Sequence, residues 1–173
     1  CLDRPTTGKY YLEGHNIAQA TDAQLAVIRG KRIGFVFQNF NLMMKRTLAD
    51  NVSLPLIYQG VSQKERYERA VKLLESVGLK GYADRLPTQI AGGMQQRVAI
   101  ARSLVNNPAI IFADEPTGNL DTRTSVEIMN LFTELNKQGI TIVLVTHEED
   151  IASYCKRSSF IVLISSAEYL VLF

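Results

Sequence analysis

The chain has 173 residues, of which 46% are hydrophobic and 21% charged, and its formal net charge is +2. This length and composition indicate one soluble globular domain with a sizeable core. The charge is too small to indicate a nucleic-acid partner, and no segment reaches the roughly 18 to 20 apolar residues of a membrane-spanning helix. Cys1 and Cys155 make no disulfide framework or metal site, which fits a reducing compartment.

The first predicted elements are a short strand and a helix. Residues 9–14 alternate weakly in polarity and end at a glycine, which predicts an edge strand. Thr21 and Gln24 have the spacing of a capping box, which predicts the start of a helix. We expect Gly30 to end that helix.

The next segment joins a strand to a block of helices. Residues 33–37 form an apolar run that predicts a buried strand, and Gln38 follows it directly. Residues 47–86 are predicted to be mainly helical, with Ser62 at a second capping box and Gly78 at a C-terminal cap. This block interrupts the rest of the pattern and predicts an inserted helical subdomain.

From Gly92 onward, helices and strands alternate. A helix is predicted over 93–105, a buried strand over 109–113, a helix that stops at Gly139 and a second buried strand over 141–145. This order predicts a parallel sheet with helical crossovers.

Two carboxylates follow the buried strand at 109–113. Ligands bind at the carboxyl edge of open α/β sheets, where Asp114 and Glu115 are expected to lie. One carboxylate can hold Mg²⁺, and the other can accept a proton from an attacking water. Taken alone, the segment fits a solvated acidic turn equally well.

A pair of glycines opens the helix before that strand. Gly92 and Gly93 allow close backbone approach, and the free N–H groups of a helix start can face an anion such as phosphate. The alternative is a glycine-rich turn before an amphipathic helix. The two segments occurring together and in this order are much stronger evidence for these functional interpretations than either segment alone.

These segments resemble the ABC-type ATPases over roughly residues 2–155. In this resemblance Phe37-Gln38 corresponds to the Q-loop, 90–94 to the signature loop, 110–115 to Walker B, 118–121 to the D-loop and 145–147 to the switch histidine motif. The resemblance implies an α/β fold with a P-loop-NTPase-like, mostly parallel sheet core and an inserted α-helical subdomain.

The resemblance also implies roles toward ATP and Mg²⁺. Glu115 would act as general base, and His147 would contact the γ-phosphate and orient the water. Gln38 would touch Mg²⁺ and the attacking water, and Asp114 would hold the metal. Each of these residues, taken alone, could simply be a polar loop residue. The prediction therefore rests on the whole set of residues occurring in this order.

A second group would act on nucleotide held by a facing subunit. The signature positions Ala91, Gly92, Gly93 and Met94 would bind the γ-phosphate of that ATP, and Asp121 would help couple the two subunits. This arrangement implies a head-to-tail dimer of two ATPase subunits. Asp121 fits helix capping equally well, and both roles are compatible.

The sequence departs from the family pattern in two places. The phosphate-binding motif G-x-x-x-x-G-K-[ST] is absent, and neither Gly-Lys pair is followed by Ser or Thr. The resemblance implies that this loop lies upstream, so we expect a chain truncated before residue 1 that is inactive alone. The family also usually has Ser where Ala91 stands and Gln where Met94 stands.

The segments 3–6, 35–42 and 116–121 most resemble the lipoprotein-release and macrolide-export branch. This implies a transmembrane permease as partner and a peripheral position at the cytoplasmic face of the inner membrane. Chromosome and repair ATPases of the superfamily carry a long coiled coil between Q-loop and signature. Here those motifs are only 92 − 38 = 54 positions apart, so no nucleic-acid partner is expected.

The chain is thus expected to be a single partial ABC ATPase domain over 1–173. Its expected parts are an N-terminal lobe with the Q-loop (1–45), a helical subdomain (46–90), the signature helix to switch histidine core (91–157) and an atypical tail (158–173). The alternative function is that of an inert fragment that acts at most as a binding or regulatory module.

Overall fold

The computed structural model describes Cys1, residues 7–162 and residues 167–172. The helices are α1 (Asp22–Arg32), α2 (Leu48–Ile57), α3 (Gln63–Ser76), α4 (Gly92–Leu104), α5 (Thr122–Lys137) and α6 (Glu149–Ala152), with 3-10 turns at Ile17–Gln19 and Pro87–Gln89. The strands are β1 (Tyr11–Leu12), β2 (His15–Asn16), β3 (Ile33–Phe37), β4 (Ile110–Asp114), β5 (Thr141–Thr146), β6 (Arg157–Val162) and β7 (Ala167–Leu172). Residues 3–6, which contribute to the branch resemblance, lie outside the described residues.

The main sheet has the strand order β3-β4-β5-β7-β6. Strands β3, β4 and β5 are parallel, and Phe37, Asp114 and Val145 are neighbours across their carboxyl ends. Helices α4 and α5 connect these strands in the chain, which is the crossover arrangement that parallel pairing requires. The predicted α/β class with a mostly parallel core is therefore confirmed.

The amino-terminal elements follow the predicted capping chemistry, with one correction. The Thr21 side chain accepts from the Gln24 backbone N–H, and the Gln24 side chain accepts from the Thr21 backbone N–H, so the capping box is present. The prediction that Gly30 ends α1 was wrong, because the helix continues to Arg32. The helix ends here because the next residue, Ile33, is buried and begins β3 in the sheet.

The helical block packs against the helix that carries the two glycines. Leu48, Leu56 and Leu74, from α2 and α3, are fully buried with Ile100 of α4 in one continuous core. Ser62 caps α3 by accepting from the Glu65 backbone N–H. The block therefore shares the core of the sheet domain.

The carboxyl-terminal segment joins the sheet. Strand β7 pairs antiparallel with both β5 and β6, so it lies between them. Strand β7 therefore has a hydrogen-bonded neighbour on each side, whereas β6 lies at the edge of the sheet. Among the described residues, no helix combines the length and apolar character needed to span a bilayer.

Candidate functional site

The predicted residues of the first group gather at the carboxyl edge of the parallel strands. Gln38 follows β3, Asp114 ends β4 and Glu115 follows it, and His147 follows β5. Because Phe37 pairs with Asp114 and Asp114 with Val145, these positions lie side by side along the edge. Three segments distant in sequence, at the ends of β3, β4 and β5, thus deliver four polar side chains to one place.

Glu115 and His147 are in direct contact. Oε1 of Glu115 accepts the backbone N–H of His147 at 2.8 Å and lies 2.5 Å from its ring Nδ1. Oε2 accepts the Thr146 hydroxyl at 3.2 Å. Donors from the end of β5 therefore hold both carboxylate oxygens of Glu115.

The backbone at Glu115 is unusual. Its φ is +43°, in the left-handed region that a non-glycine residue enters only at a cost. Its N–H donates to the Val145 carbonyl at 2.9 Å, and its carbonyl accepts from the Gly118 N–H at 3.1 Å. These bonds fix the turn that leads away from β4 and direct the Glu115 side chain toward β5.

Gln38 is held on the other side of the same turn. Its carbonyl accepts from the Asn119 side-chain amide at 3.1 Å, and its own amide approaches the Asn119 oxygen at 3.5 Å. A methyl group at Gly118 would lie 2.6 Å from the Gln38 amide nitrogen. A side chain at position 118 would therefore displace the Gln38 amide from its present place.

Arg102, in the last turn of α4, fixes the segment after Gln38. Phe40 and Asn41 both have φ in the left-handed region, at +57° and +49°. The Arg102 guanidinium donates to both of their carbonyls, at 2.9 and 2.6 Å. Burial lowers the pKa of Arg102, because the charged form is partly removed from water.

Asn51 fixes the next part of the same segment. Its buried side chain accepts from the Met43 N–H at 2.7 Å and donates to the carbonyls of Met43, Arg46 and Thr47. Sequence analysis assigned no function to Arg102 or Asn51. The available signal was a polar residue at an otherwise apolar position of each helix.

The signature glycines start α4 beside the loop before α5. Ala91 is the N-cap residue and contributes no side-chain bond there. A methyl group on Gly93 would lie 2.3 Å from Cγ2 of Thr124, so an alanine here would force Thr124 or the start of α4 to move. A cavity of about 270 Å³ adjoins this contact, and its lining includes Gly92, Met94 and Asp121.

Asp121 is the N-cap of α5. Its carboxylate accepts the Thr124 backbone N–H at 3.1 Å and the Thr124 hydroxyl at 2.6 Å. The bond from the Thr124 side chain, followed by the backbone bond, lowers the pKa of Asp121, because both favour the ionised form. The capping alternative is therefore realised, and the carboxylate also lies at the cavity beside the glycines.

The candidate metal ligands are few. Within residues 7–162 and the other described parts, no group of three or more His, Cys, Asp or Glu side chains lies close enough to hold a metal ion. Asp114 and Gln38 offer one carboxylate and one amide oxygen. This set suits a cation such as Mg²⁺, which keeps several waters and takes further oxygens from substrate phosphates.

Comparison with known proteins identifies a matching family and relatives that cover most of this chain. Residues 2–118 match the family described as ABC transporter. The chain is 53% identical to the ABC transporter ATP-binding protein YknY of Bacillus subtilis, over 91% of this chain and 68% of that protein. It is 50% identical to the macrolide export ATP-binding/permease protein MacB of Syntrophobacter fumaroxidans, over 91% of this chain and 22% of that protein.

Solved structures show the same fold. The ATP-binding cassette MJ0796, in a dimeric post-hydrolysis state bound to ADP and Pi, superposes with a TM-score of 0.75 at 45% identity. The match covers 89% of this chain and 68% of that one. The chain thus spans about two thirds of the length of ATP-binding relatives and under a quarter of the MacB protein.

Proposed function

This chain belongs to the ABC transporter ATP-binding family, and we propose that it is part of a subunit that hydrolyses ATP to drive export of a substrate or its extraction from a membrane. The observation that carries the proposal is the gathering of Gln38, Asp114, Glu115 and His147 at one sheet edge. These side chains combine a base, a cation-binding carboxylate and two orienting groups, as hydrolysis of a phosphoanhydride requires.

Each residue has a distinct proposed role. Glu115 would take a proton from the attacking water, since its carboxylate is fixed by the end of β5 but remains partly exposed. His147 would orient that water and contact the γ-phosphate. Gln38, held by Asn119, would contact the water from the opposite side. The residues therefore act by positioning, which is the main catalytic device in phosphoryl transfer.

Asp114 and Gln38 are the proposed Mg²⁺ ligands. When bound, Mg²⁺ would neutralise charge on the phosphates. Asp114 is exposed at the end of β4, so its carboxylate is available to a hydrated cation without breaking a buried ion pair. The phosphate-binding motif is not part of the 173-residue sequence, so the activity is proposed for the whole protein.

A second ATPase subunit is the proposed partner at the signature glycines. Gly92 and Gly93 start α4 beside a cavity open to solvent, and free N–H groups at a helix start favour an anion. The MJ0796 cassette, whose fold this chain shares, is described as dimeric. We therefore propose a head-to-tail dimer in which Ala91 to Met94 meet the γ-phosphate of ATP held by the other subunit.

A transmembrane permease is the second proposed partner. The relative MacB is named as an ATP-binding and permease protein. Met44, shortly after Gln38, is 47% exposed, and a flexible thioether offers adaptable apolar contact to a partner helix. This partner would place the protein at the cytoplasmic face of the inner membrane.

Turnover and trapping by Glu115→Gln test the function. In full-length protein we expect Mg²⁺-dependent ATP hydrolysis that falls about 10²- to 10⁴-fold in the variant, because general-base catalysis contributes that much. The variant should also accumulate as a dimer with ATP in size-exclusion chromatography. Hydrolysis that is unaffected by Glu115→Gln, or a monomer under all conditions, would contradict the proposal.

The absent phosphate-binding motif favours a second possibility for the chain alone, that of an inert or regulatory module. The 173-residue chain is then expected to give no heat on titration with ATP and Mg²⁺ and no Glu115-dependent hydrolysis. Measurable turnover by this chain that is lost in Glu115→Gln would exclude the inert module.

A further inference from the structure

Gln96 is a fully buried polar side chain in the helix that starts with the signature glycines. It lies two turns before Ser103 and one turn before Ile100, and all three are buried. Its Nε2 donates to the carbonyl of Pro116 at 2.7 Å. The bond links α4 directly to the turn that follows Glu115, across 20 residues of sequence.

This bond completes the hydrogen bonding of the strained turn. The carbonyl of Glu115 accepts from the Gly118 N–H at 3.1 Å, and that of Thr117 accepts from the Leu120 N–H at 2.9 Å. The Pro116 carbonyl lies between them and accepts from Gln96. A side chain of α4 therefore supplies the donor for a backbone position adjacent to Glu115, where φ is +43°.

The orientation of the Gln96 amide is fixed by chemistry. Turning the amide over would bring two oxygens together at 2.7 Å, which are both acceptors. In the present orientation Oε1 is buried without a hydrogen-bond partner among the described residues, as is Oγ1 of Thr117. An apolar residue would avoid that unfavourable burial, so the amide is accounted for by the donor it gives to Pro116.

We propose that Gln96 is a positioning residue that holds the Glu115 turn in its active geometry and couples it to the signature end of α4. The proposal rests on the proposed function of Glu115 as general base. Through Gln96, the same helix would contact ATP of the facing subunit at its first residues and fix the base of its own subunit one turn later.

The first test is Gln96→Met, which keeps the length of the side chain and removes the donor. In full-length protein we expect kcat to fall about tenfold to a hundredfold with little change in KM, because a small displacement of a catalytic group has effects of that size. In the same full-length protein, amide hydrogen exchange should accelerate at Gly118 and Leu120. Ser103→Ala is the matched control, since it removes a buried bond on the same helix that reaches only Ile100.

The outcomes separate this proposal from the function itself. Folded Gln96→Met with wild-type kcat and wild-type exchange at Gly118 and Leu120 would overturn the role of Gln96. A full-length protein without Glu115-dependent turnover would instead overturn the proposed function, and the exchange measurement would still test the contact. If Ser103→Ala lowered kcat by the same factor, the loss in Gln96→Met would reflect a general loss of packing in α4. That outcome would overturn the proposal.

Gln96→Glu decides the matter if the Met variant does not fold. A protonated carboxyl can donate to the Pro116 carbonyl, whereas a carboxylate cannot. We expect the ratio of variant to wild-type kcat to fall as the pH rises and the new carboxyl ionises. A reduced ratio that does not change with pH would overturn the proposal.

Discussion

The imidazole Nδ1 of His147 lies 2.5 Å from Oε1 of Glu115, and the backbone N–H of His147 donates to that oxygen at 2.8 Å. The His147 side chain is 65% exposed, whereas that of Glu115 is 14% exposed. The carboxylate is therefore the fixed member of the pair. The ring can rotate into solvent without loss of the backbone bond that holds Glu115.

We expect His147→Ala to separate activity from stability. Since the ring is exposed and the backbone donor remains, the free energy of unfolding should change by about 0.5 kcal/mol or less. ATP turnover of full-length protein should fall about 10²-fold or more, as for loss of a positioned catalytic group. Urea denaturation and steady-state kinetics measure the two quantities, and wild-type turnover in the variant would contradict the role of the ring.

Gly93 and Thr124 should show strong coupling. Gly93→Ala places a methyl group 2.3 Å from Cγ2 of Thr124, which should cost about 1–3 kcal/mol by overpacking. Thr124→Ser removes Cγ2 but keeps the hydroxyl that donates to Asp121. In that background Gly93→Ala should be neutral or stabilising by up to about 1 kcal/mol, because alanine favours the helix.

A double-mutant cycle measured by urea denaturation checks this coupling between Gly93 and Thr124. Additive effects of the two substitutions would show that the close contact does not govern the position. The double variant should also retain the Asp121 cap, since its acceptor and donors are unchanged.

Arg102→Lys should destabilise the segment after Gln38. A lysine cannot reproduce the fork that donates to the carbonyls of Phe40 and Asn41, so we expect a loss of about 1–3 kcal/mol. Arg123→Lys is the control, because that side chain is 91% exposed and lies 3.8 Å from its Glu127 partner. It should change stability by about 0.5 kcal/mol or less, and equal losses in both variants would refute the assignment.

Asp121 should contribute to the acid sensitivity of the fold. Hydrogen bonds from Thr124 lower its pKa in the folded state, so the unfolded state binds the proton more tightly. This stabilising contribution is present above the unfolded pKa of about 4 and is lost as the pH falls through the lower folded value. Asp121→Asn should cap α5 without this titration, and its urea midpoint should fall less than the wild type below pH 4. Parallel curves for the two proteins would contradict this.

Much of the fold could be predicted from local pattern. The strands at 33–37 and 141–145 were identifiable as apolar runs, and Thr21 was identifiable as a helix cap from the spacing to Gln24. The end of α1 was misplaced because Gly30 suggests a stop, whereas burial of Ile33 in the sheet sets the boundary. Tertiary packing thus decided what local propensity could not.

The site was predictable only in part, for a similar reason. The position of Asp114 and Glu115 directly after a buried strand predicted that they lie at the carboxyl edge of the sheet. The roles of Gln38 and His147 were implied only by the resemblance to ABC-type ATPases. No sequence pattern identifies Gln96 as part of the site, because its proposed role depends on a hydrogen bond to a turn 20 residues away. Side chains that support a site from within a helix need coordinates to be recognised.

The close packing of α4 on β3 has a mechanical consequence. A methyl group on Gly34 would lie 2.8 Å from the carbonyl oxygen of Ser103, so the helix backbone presses directly on the strand. The helix has 13 residues and is about 20 Å long. One end of this rigid helix lies at the signature glycines, and the other packs closely against β3, the strand that leads to Gln38. We therefore expect a tilt at the glycine end of α4 to displace β3 as well, because the close contact at Gly34 leaves no space to absorb the movement.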